Sequence, residues 1–268
     1  MSLYRFYVEG CSNASDKIYI SGKDQNHIKN VLRLRIGEKI IISDGTSRDY
    51  HCRIADYPED MVEAEIIDIT DNATELPAQV VLFQGMPKAD KFEHIIQKTV
   101  ELGVHEIYPV MMKRCVVKLE GGNGSTDKNG FLTVSSKEAK KIQRYNNIAE
   151  AAAKQSQRGI IPEVKSFVSF KRAAEIASEM DVVLVPYESA EGMDYSRNVI
   201  AEIKKLCTES SKRPMVAVFI GPEGGFAQEE IDLLSEKGGR IISLGRRILR
   251  TETAGPAIMS VMGFALDE

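Results

Sequence analysis

Near the end of the chain, two short apolar runs each stop at a glycine loop, and this feature most constrains the fold. Residues 215–220, MVAVFI, form an unbroken apolar run, typical of a strand buried on both faces of a parallel sheet. GPEGG follows at once, and residues 241–245, IISLG, repeat the scheme before the loop RRILR. Because the carboxyl ends of parallel strands meet at one edge of a sheet, the two loops predict a ligand crevice there.

Loops of this kind are either plain turns or backbone cradles that a ligand can approach closely. Residues 181–188, DVVLVPYE, form a third buried run that ends in a proline loop and adds a wall to the crevice. Fixed N–H and C=O groups suit the edge of an adenine, and apolar side chains can cover its faces. Together the three loops favour a cofactor site over simple turns.

The order of patterns along the chain indicates two domains. Residues 1–71 carry short runs rich in aromatic and β-branched residues, punctuated by glycines, which is typical of a small β-barrel. Residues 72–79, NATELPAQ, contain a proline and few apolar residues and are interpreted as a linker. Residues 80–268 alternate strands with helices, which predicts an α/β domain on a parallel sheet.

Helical spacing is clearest in residues 88–102, with Gly103 as the predicted stop. The residues predicted to face the core are Phe92, Ile95, Ile96, Thr99 and Val100. Glu101 opposes the helix macrodipole in the last turn, so it is expected to pair with Lys98 or another basic residue. A capping box of Ser135 and Glu138 predicts the start of a long helix.

Charge, cysteine spacing and hydropathy exclude several classes of function. The 268 residues carry a formal net charge of −4, so any nucleic-acid site must be local. The four cysteines form no CxxC pair, and the four histidines lie at no zinc spacing around them, so no metal is expected. No run approaches the ~20 apolar residues that span a bilayer, and the N-terminus lacks a signal-peptide layout. We therefore expect a cytoplasmic protein without membrane contact.

Common catalytic motifs, such as GxSxG, HExxH and an early Rossmann fingerprint, are absent from the sequence. Gly122 and Gly124 begin a GxGxxG, but Asp127 stands where the third glycine belongs, so residues 118–130 are interpreted as a surface insertion.

The rim of the crevice carries several charged residues, of which Arg250 has the clearest chemical use. A guanidinium beside a cofactor can stabilise an anion that develops on a substrate, an effect of roughly 3 kcal/mol. The alternative is a salt bridge to Glu223 or Glu252. A second basic cluster lies in the first domain, on a short helix that Asp24 is predicted to cap. It is either a solvated face or an RNA contact, and it contains His27, Lys29, Arg33 and Arg35.

FIGPEGGF, together with SLGRRILRTETA, resembles the RsmE family, the 16S ribosomal RNA (uracil-N3)-methyltransferases of the SPOUT superfamily. The resemblance covers nearly the whole chain. Further similar segments are HIKNVLRLRIGEKIIISDG, KADKFEHIIQKTVELGVHEIYPVMMKRCVVKL and RYNNIAEAAAKQSQRGIIPEV.

The resemblance implies a PUA-like RNA-binding barrel, residues 1–71, followed by a SPOUT methyltransferase domain, residues 80–268, with a deep C-terminal trefoil knot. It implies S-adenosylmethionine as the cofactor and N3-methyluridine at position 1498 of 16S rRNA as the product, made on the assembled 30S subunit. It also implies a homodimer. Apolar residues of the last helix weakly support the dimer; they are Ile258, Met259, Val261, Met262 and Phe264.

The resemblance also assigns roles to residues. The expected cofactor-binding residues are Leu184, Pro186, Gly221, Pro222, Glu223, Gly224, Gly225, Leu244, Gly245, Ile248, Leu249 and Arg250. Arg250 is also the expected catalytic residue, with Arg114. The expected RNA-binding residues are Arg5, His27, Arg33, Arg35, Lys88 and Lys91.

Three features depart from the family pattern: a cysteine, Cys115, follows Arg114 where the family has serine, the insertion at 120–130 is long, and Pro256 replaces an alanine. A proline in a helix interior costs ~3 kcal/mol, so the last helix is expected to begin with Thr253 as cap. Two other functions stay open. The protein could be a SPOUT enzyme acting on transfer RNA or a ribose hydroxyl, or a non-catalytic RNA-binding assembly factor.

Overall fold

The computed structural model describes residues 3–8, 10–11, 16–45, 48–119, 126–127, 130–188 and 192–267. Contacts divide the chain into two compact units. The first comprises Met1–Glu75 with Ala153–Ile161, and the second comprises Leu76–Ala152 with Pro162–Glu268. The boundary between Glu75 and Leu76 lies inside the predicted linker, residues 72–79. No sequence pattern predicted that residues 153–161 belong to the first unit.

The first unit contains a five-stranded sheet in the order β1-β3-β4-β5-β2. Its strands are β1 (Arg5–Tyr7), β2 (Lys17–Ser21), β3 (Lys39–Ser43), β4 (Arg48–Asp56) and β5 (Met61–Asp71). β1 pairs with β3 in parallel, and the other neighbours are antiparallel. Four of them, β1, β2, β3 and β5, lie in the runs rich in aromatic and β-branched residues that predicted strands: YRFYV, KIYIS, EKIIISDG and VEAEIIDIT. β4 was missed because register shifts at His51/Cys52 and Ile54/Asp56 break its alternation.

A short helix, α1 (Gly22–Asn26), continues into a π-helical segment, His27–Val31. The prediction that Asp24 caps this helix is wrong, because the N-cap is Ser21 and Asp24 lies in the first turn. The chain turns directly from β2 into the helix at Gly22, whose φ of +65° is accessible to glycine at little cost.

The second unit is built on a seven-stranded parallel sheet with the order β12-β10-β11-β6-β7-β8, and β9 also pairs with β7. Its strands are β6 (Gln79–Gly85), β7 (Glu106–Met111), β8 (Glu163–Val164), β9 (Val168–Ser169), β10 (Val182–Pro186), β11 (Met215–Ile220) and β12 (Arg240–Ile242). Phe83 stacks on Tyr108 and Phe219, with ring centroids 4.8 and 4.7 Å apart. These contacts hold β6, β7 and β11 in register, so the predicted buried parallel strands are confirmed.

Six further helices follow: α2 (Lys91–Glu101), α3 (Ser136–Gln155), α4 (Phe170–Ala177), α5 (Met193–Glu209), α6 (Gln228–Glu236) and α7 (Thr251–Leu266). The five residues predicted to face the core from α2 are all buried. Glu101 pairs with Lys98 at 2.9 Å as expected, and Ser135 and Glu138 form the predicted capping box. α2 begins at Lys91 rather than at residue 88, because Ala89 has a φ of +54° and interrupts helical geometry.

The start of α7 differs from the prediction. Its N-cap is Arg250, whose carbonyl accepts hydrogen bonds from the N–H groups of Thr253 and Ala254 at 2.8 and 2.9 Å. Pro256 therefore lies inside the helix rather than in its first turn. The expectation that Thr253 caps the helix is wrong, because the loop before α7 places Thr251 as the first helical residue.

The apolar surface of α7 is smaller than predicted. Ile258, Met259 and Met262 are buried in the core of the single chain, whereas Val261 and Phe264 are 43% and 93% exposed. Within the described ranges, no helix is long and apolar enough to cross a bilayer, and no group of His, Cys, Asp and Glu side chains could hold a metal ion. Most of the predicted insertion at 120–130 lies outside the described residues.

Candidate functional site

A cavity of about 520 Å³ lies in the second unit where β10 and β11 end. This volume is in the range that small-molecule and cofactor sites occupy. Three loops form most of its wall, as the sequence predicted. The lining residues are Pro186, Tyr187, Glu188, residues 220–226, Leu244, Gly245, residues 247–252, Ala254, and two residues from outside the loops, Lys91 and Arg114.

The loop after β11 is shaped by close backbone packing. Gly225 has a φ of +67° and donates its N–H to the carbonyl of Pro222 at 2.9 Å. A Cβ on Gly221 would lie 3.1 Å from the carbonyl carbon of Gly225, and a Cβ on Gly224 would lie 2.9 Å from Cβ of Arg114. Any side chain at these positions would push against the protein itself, so the glycines are required to form the cradle.

A buried relay of hydrogen bonds supports this loop. The side-chain amide of Gln84, at the end of β6, donates to Oγ1 of Thr251 at 2.9 Å. Thr251 in turn donates to the carbonyl of Gly221 at 2.7 Å. Gln84 is fully buried. Neither side chain was predicted from the sequence, although a glutamine inside an apolar strand, VVLFQG, is a signal that could have shown one of them.

Lys91 connects the glycine loop to the first turn of α7. Its Nζ lies 3.1 Å from Oε1 of Glu223 and 3.3 Å from Oε2 of Glu252. The backbone N–H of Lys88 also donates to Oε1 of Glu223, at 3.1 Å. The hydrogen bond with Glu223 raises the pKa of Lys91 above its ordinary value. Partial burial alone would raise the pKa of Glu223, but hydrogen bonds from the N–H of Lys88 and from Lys91 outweigh burial and hold that pKa low.

Arg250 has no ion pair or hydrogen bond from its side chain in the described part of the chain, and it is exposed at the cavity. The alternative that it pairs with Glu223 or Glu252 is therefore wrong, because Lys91 occupies both carboxylates. Arg250 is left available to a bound molecule.

Arg114 also contacts the glycine loop. Its Nη1 donates to the carbonyl of Gly224 at 3.0 Å. The following residue, Cys115, points toward the core and accepts a hydrogen bond from the N–H of Met112 at 3.3 Å. Burial raises the pKa of the Cys115 thiol, so this residue fills space behind the loop as a neutral group.

The expected cofactor residues come together with one exception. All of them line the cavity except Leu184, which is fully buried inside β10. The side chain of Leu184 packs in the sheet two residues before β10 ends, so a cofactor contact at this position stays a prediction. The cavity is also lined by Tyr187, Phe226 and Thr251, which were not predicted, although each is adjacent in sequence to a predicted site residue.

The expected RNA-binding residues of the first unit fall into two groups. His27, Arg33 and Arg35 are exposed on the π-helical segment and the turn that follows it. Arg5 instead is buried, with its side chain 6% exposed, and its guanidinium pairs with both carboxylate oxygens of Asp49. The expectation for Arg5 is therefore corrected, because a guanidinium that is buried and paired with a carboxylate is not free to contact a phosphate.

Two family models match this chain. One, described as an RNA methyltransferase PUA domain, covers residues 20–67. The other, described as an RNA methyltransferase domain, covers residues 74–263. A ribosomal RNA small subunit methyltransferase E of Bacillus subtilis is 34% identical over 245 residues, which are 91% of this chain and 89% of that relative. The chain belongs to the ribosomal RNA small subunit methyltransferase E family.

Solved structures of this family and its neighbours share the fold. A ribosomal RNA small subunit methyltransferase E from Neisseria gonorrhoeae, bound to S-adenosyl methionine, matches with a TM-score of 0.74 and 26% identity over 98% of both chains. A putative methyltransferase from Legionella pneumophila, in complex with the cofactor SAM, matches with a TM-score of 0.74 and 28% identity over 99% of this chain and 98% of that one. As a family member, this chain has a PUA-like first unit and an RNA methyltransferase domain on the parallel sheet.

Proposed function

We propose that this protein methylates N3 of a uridine in 16S rRNA, at position 1498, on the assembled 30S subunit in the cytoplasm. Residues 1–71 would bind RNA and residues 80–268 would carry out methyl transfer. The observation that carries the proposal is the cavity with an unpaired Arg250 at its wall. Family membership and the relatives bound to S-adenosylmethionine support the reaction type.

The cavity fits S-adenosylmethionine in size and in the chemistry of its wall. Its volume of about 520 Å³ and its backbone loops suit an adenine edge, and Ile220, Leu244 and Leu249 offer apolar contact to the ring faces. The glycines at 221, 224 and 225 leave the loop without side chains. When bound, the cofactor supplies the methyl group. The carboxylates of Glu188 and Glu223 on the wall provide negative charge beside a cationic ligand.

Arg250 would stabilise the anion that forms on uracil. Uridine N3 carries a proton and is a poor nucleophile until that proton leaves, so the site must favour the imide anion. A guanidinium can stabilise this anion at any relevant pH, because arginine keeps its positive charge. Arg114 is held on the glycine loop by its hydrogen bond to the carbonyl of Gly224 and would add a second positive charge.

The test is methylation of small subunits from a strain that lacks this protein. An N3 methyl group blocks base pairing, so reverse transcription should gain a stop at the decoding-region uridine after incubation with protein and cofactor. Nucleoside mass spectrometry would distinguish the base product from a ribose methyl group. Arg250→Ala should lower turnover about 100-fold while RNA affinity is largely kept. No new stop with the wild-type protein, or methylation found on transfer RNA instead, would overturn the assignment.

The residues that would contact RNA are His27, Arg33 and Arg35 in the first unit and, separately, Lys88 in the second. The three barrel residues are exposed and close in sequence, so phosphates can approach them. Lys91 is left out of this group, since its charge is engaged by Glu223 and Glu252.

A C-terminal trefoil knot and a homodimer complete the proposal. The knot is supported by topology: β12 pairs with β10 at the sheet edge, and α7, which follows it, packs against α2, α5 and β11. A crystal structure whose chain after residue 221 threads no loop would overturn it. The dimer is supported by the exposed Val261 and Phe264 on α7. Light scattering should give the molar mass of two chains for the wild-type protein and of one chain for Phe264→Glu.

A further inference from the structure

Glu252 differs from the other carboxylates that line the cavity. Its Oε2 is inaccessible to solvent and has no hydrogen-bond partner in the described part of the chain. Oε1 of Glu223 instead accepts two hydrogen bonds, from the N–H of Lys88 and from Lys91. Glu188 is exposed. Glu252 is therefore the wall carboxylate whose buried oxygen, Oε2, lies 3.3 Å from Nζ of Lys91 without an aligned hydrogen bond.

Glu252 belongs to a group of three charged side chains with a net negative charge. Lys91 carries one positive charge and faces two carboxylates, at 3.1 and 3.3 Å. The three groups together hold one uncompensated negative charge. If Glu252 takes up a proton, Lys91 and Glu223 remain as a balanced, hydrogen-bonded pair. Proton uptake at Glu252 would therefore remove one of the two negative charges that face Lys91.

The charged groups that share the cavity wall with Glu252 are Lys91, Arg114, Glu188, Glu223, Arg247 and Arg250. Glu252 is two residues beyond Arg250, at the point where the chain enters α7. A hydrogen bond from its own backbone N–H, with Lys91 and Arg250 nearby, holds the pKa of Glu252 below its usual range. Since the group is ionised throughout the neutral range, it is available there as a proton acceptor.

A carboxylate acceptor beside a guanidinium donor matches the hydrogen-bonding edge of uracil. The N3–H group of the base lies between two carbonyl oxygens, so its edge offers one donor flanked by acceptors. Glu252 can accept from N3–H, and Arg250 can donate to a neighbouring carbonyl oxygen. The pair thus divides two tasks, removal of the proton and stabilisation of the charge that remains.

We propose that Glu252 is a catalytic residue that accepts the N3 proton of the target uridine. The inference rests on the proposed function. The N3–H bond breaks, its proton passes to the carboxylate of Glu252, and the electron pair stays on N3, where it forms the new bond to the methyl group. Glu252 becomes a neutral carboxylic acid and returns its proton to water after the product leaves.

The first test is the pH dependence of single-turnover methylation by Glu252→Gln. At neutral pH the rate should fall about 100-fold or more. It should then rise about tenfold per pH unit toward alkaline pH, because hydroxide can remove the N3 proton when the carboxylate is missing. The wild-type rate should change much less over that range. Glu236→Gln, at the exposed end of α6, is the matched control and should behave as wild type.

Two further measurements do not depend on turnover. Calorimetry should show cofactor affinity for Glu252→Gln within about threefold of wild type, as expected when a group acts mainly on the reaction step. Carbon-13 NMR of glutamate-labelled protein, assigned with the same variant, should place the pKa of Glu252 below the usual range of a glutamate. Lys91→Met should raise the pKa of Glu252.

The outcomes separate this inference from the proposed function. If wild type forms N3-methyluridine and Glu252→Gln forms it at the same rate, Glu252 is not the proton acceptor. A slow variant whose rate stays flat with pH would show that Glu252 only positions other groups, which also overturns the inference. If wild type itself forms no N3-methyluridine, the proposed function fails, and so does this role.

Discussion

Glu75 and Arg158 form an ion pair in which the two side chains are only 3% and 2% exposed. Oε1 of Glu75 also accepts hydrogen bonds from the N–H groups of Gly159 and Ile160, each at 3.2 Å. One carboxylate therefore joins the end of the barrel sequence to the segment 153–161 within the first unit. The cost of burying both charges is offset only while both partners are present.

Glu75→Gln should strongly destabilise the first unit. The variant leaves the Arg158 guanidinium buried without its counter-charge, which typically costs about 3–5 kcal/mol. Urea denaturation followed by intrinsic fluorescence measures the change. Asp194→Asn is the control, since its ion pair with Arg197 is exposed and should contribute little. Equal denaturation midpoints for wild type and Glu75→Gln would contradict the prediction.

Thr251→Val should lower stability and weaken cofactor binding together. Valine keeps the shape of threonine but leaves the carbonyl of Gly221 and the amide of Gln84 without their partner, at a cost of about 1–3 kcal/mol. Thr253→Val changes an exposed threonine of the same helix and should have little effect. Thermal unfolding and calorimetry check both effects. A Thr251→Val protein as stable as Thr253→Val would show that the relay contributes nothing.

Lys91→Met should weaken cofactor binding about tenfold and leave RNA binding unchanged. The methionine cannot hold Glu223 and Glu252, so the glycine loop and the start of α7 lose their shared cation. Lys91→Arg should restore most of the affinity. Lys98→Met is the matched control on the same helix, since Lys98 pairs only with Glu101 among the described residues. If RNA affinity falls instead, Lys91 is one of the residues that contact RNA.

Arg33→Ala combined with Arg35→Ala should weaken RNA binding and reduce its salt dependence. Each lost phosphate contact lowers the slope of log affinity against log salt by about 1. Filter binding at several salt concentrations gives the slope. Arg53→Ala removes a barrel arginine that pairs with Glu65 at 2.7 Å, and it should leave the slope unchanged. Equal slopes for wild type and the double variant would refute the assignment of Arg33 and Arg35 as phosphate contacts.

Stability of the first unit should fall at alkaline pH through Tyr7. Burial raises the pKa of Tyr7 from 10.0 to about 12. Between these values the unfolded chain loses the proton while the folded chain keeps it, so the free energy of unfolding decreases as pH rises. Urea midpoints between pH 9 and about pH 12 measure this. Tyr7→Phe should show a smaller decrease across that window, and an unchanged decrease would mean that other groups cause it.

Local sequence patterns determined most of the secondary structure and the position of the cavity. The five core-facing residues of α2 are a matter of helical period, and the apolar run at 215–220 followed by GPEGG fixes a buried strand and a glycine loop. Both features depend on neighbouring residues alone. The sequence therefore predicted which loops line the cavity, and a family resemblance added the chemistry.

Only the tertiary structure decided which charges meet. Lys91, Glu223 and Glu252 lie on three separate segments, and nothing in their local sequence shows that one ammonium lies between two carboxylates. The same holds for Arg5, which is basic in sequence but pairs with Asp49 in the fold. An ion pair depends on distances across the sheet, and these distances arise when strands far apart in sequence pack in register. The sequence alone could name the groups of this site, but it could not say that Arg250 would be left unpaired.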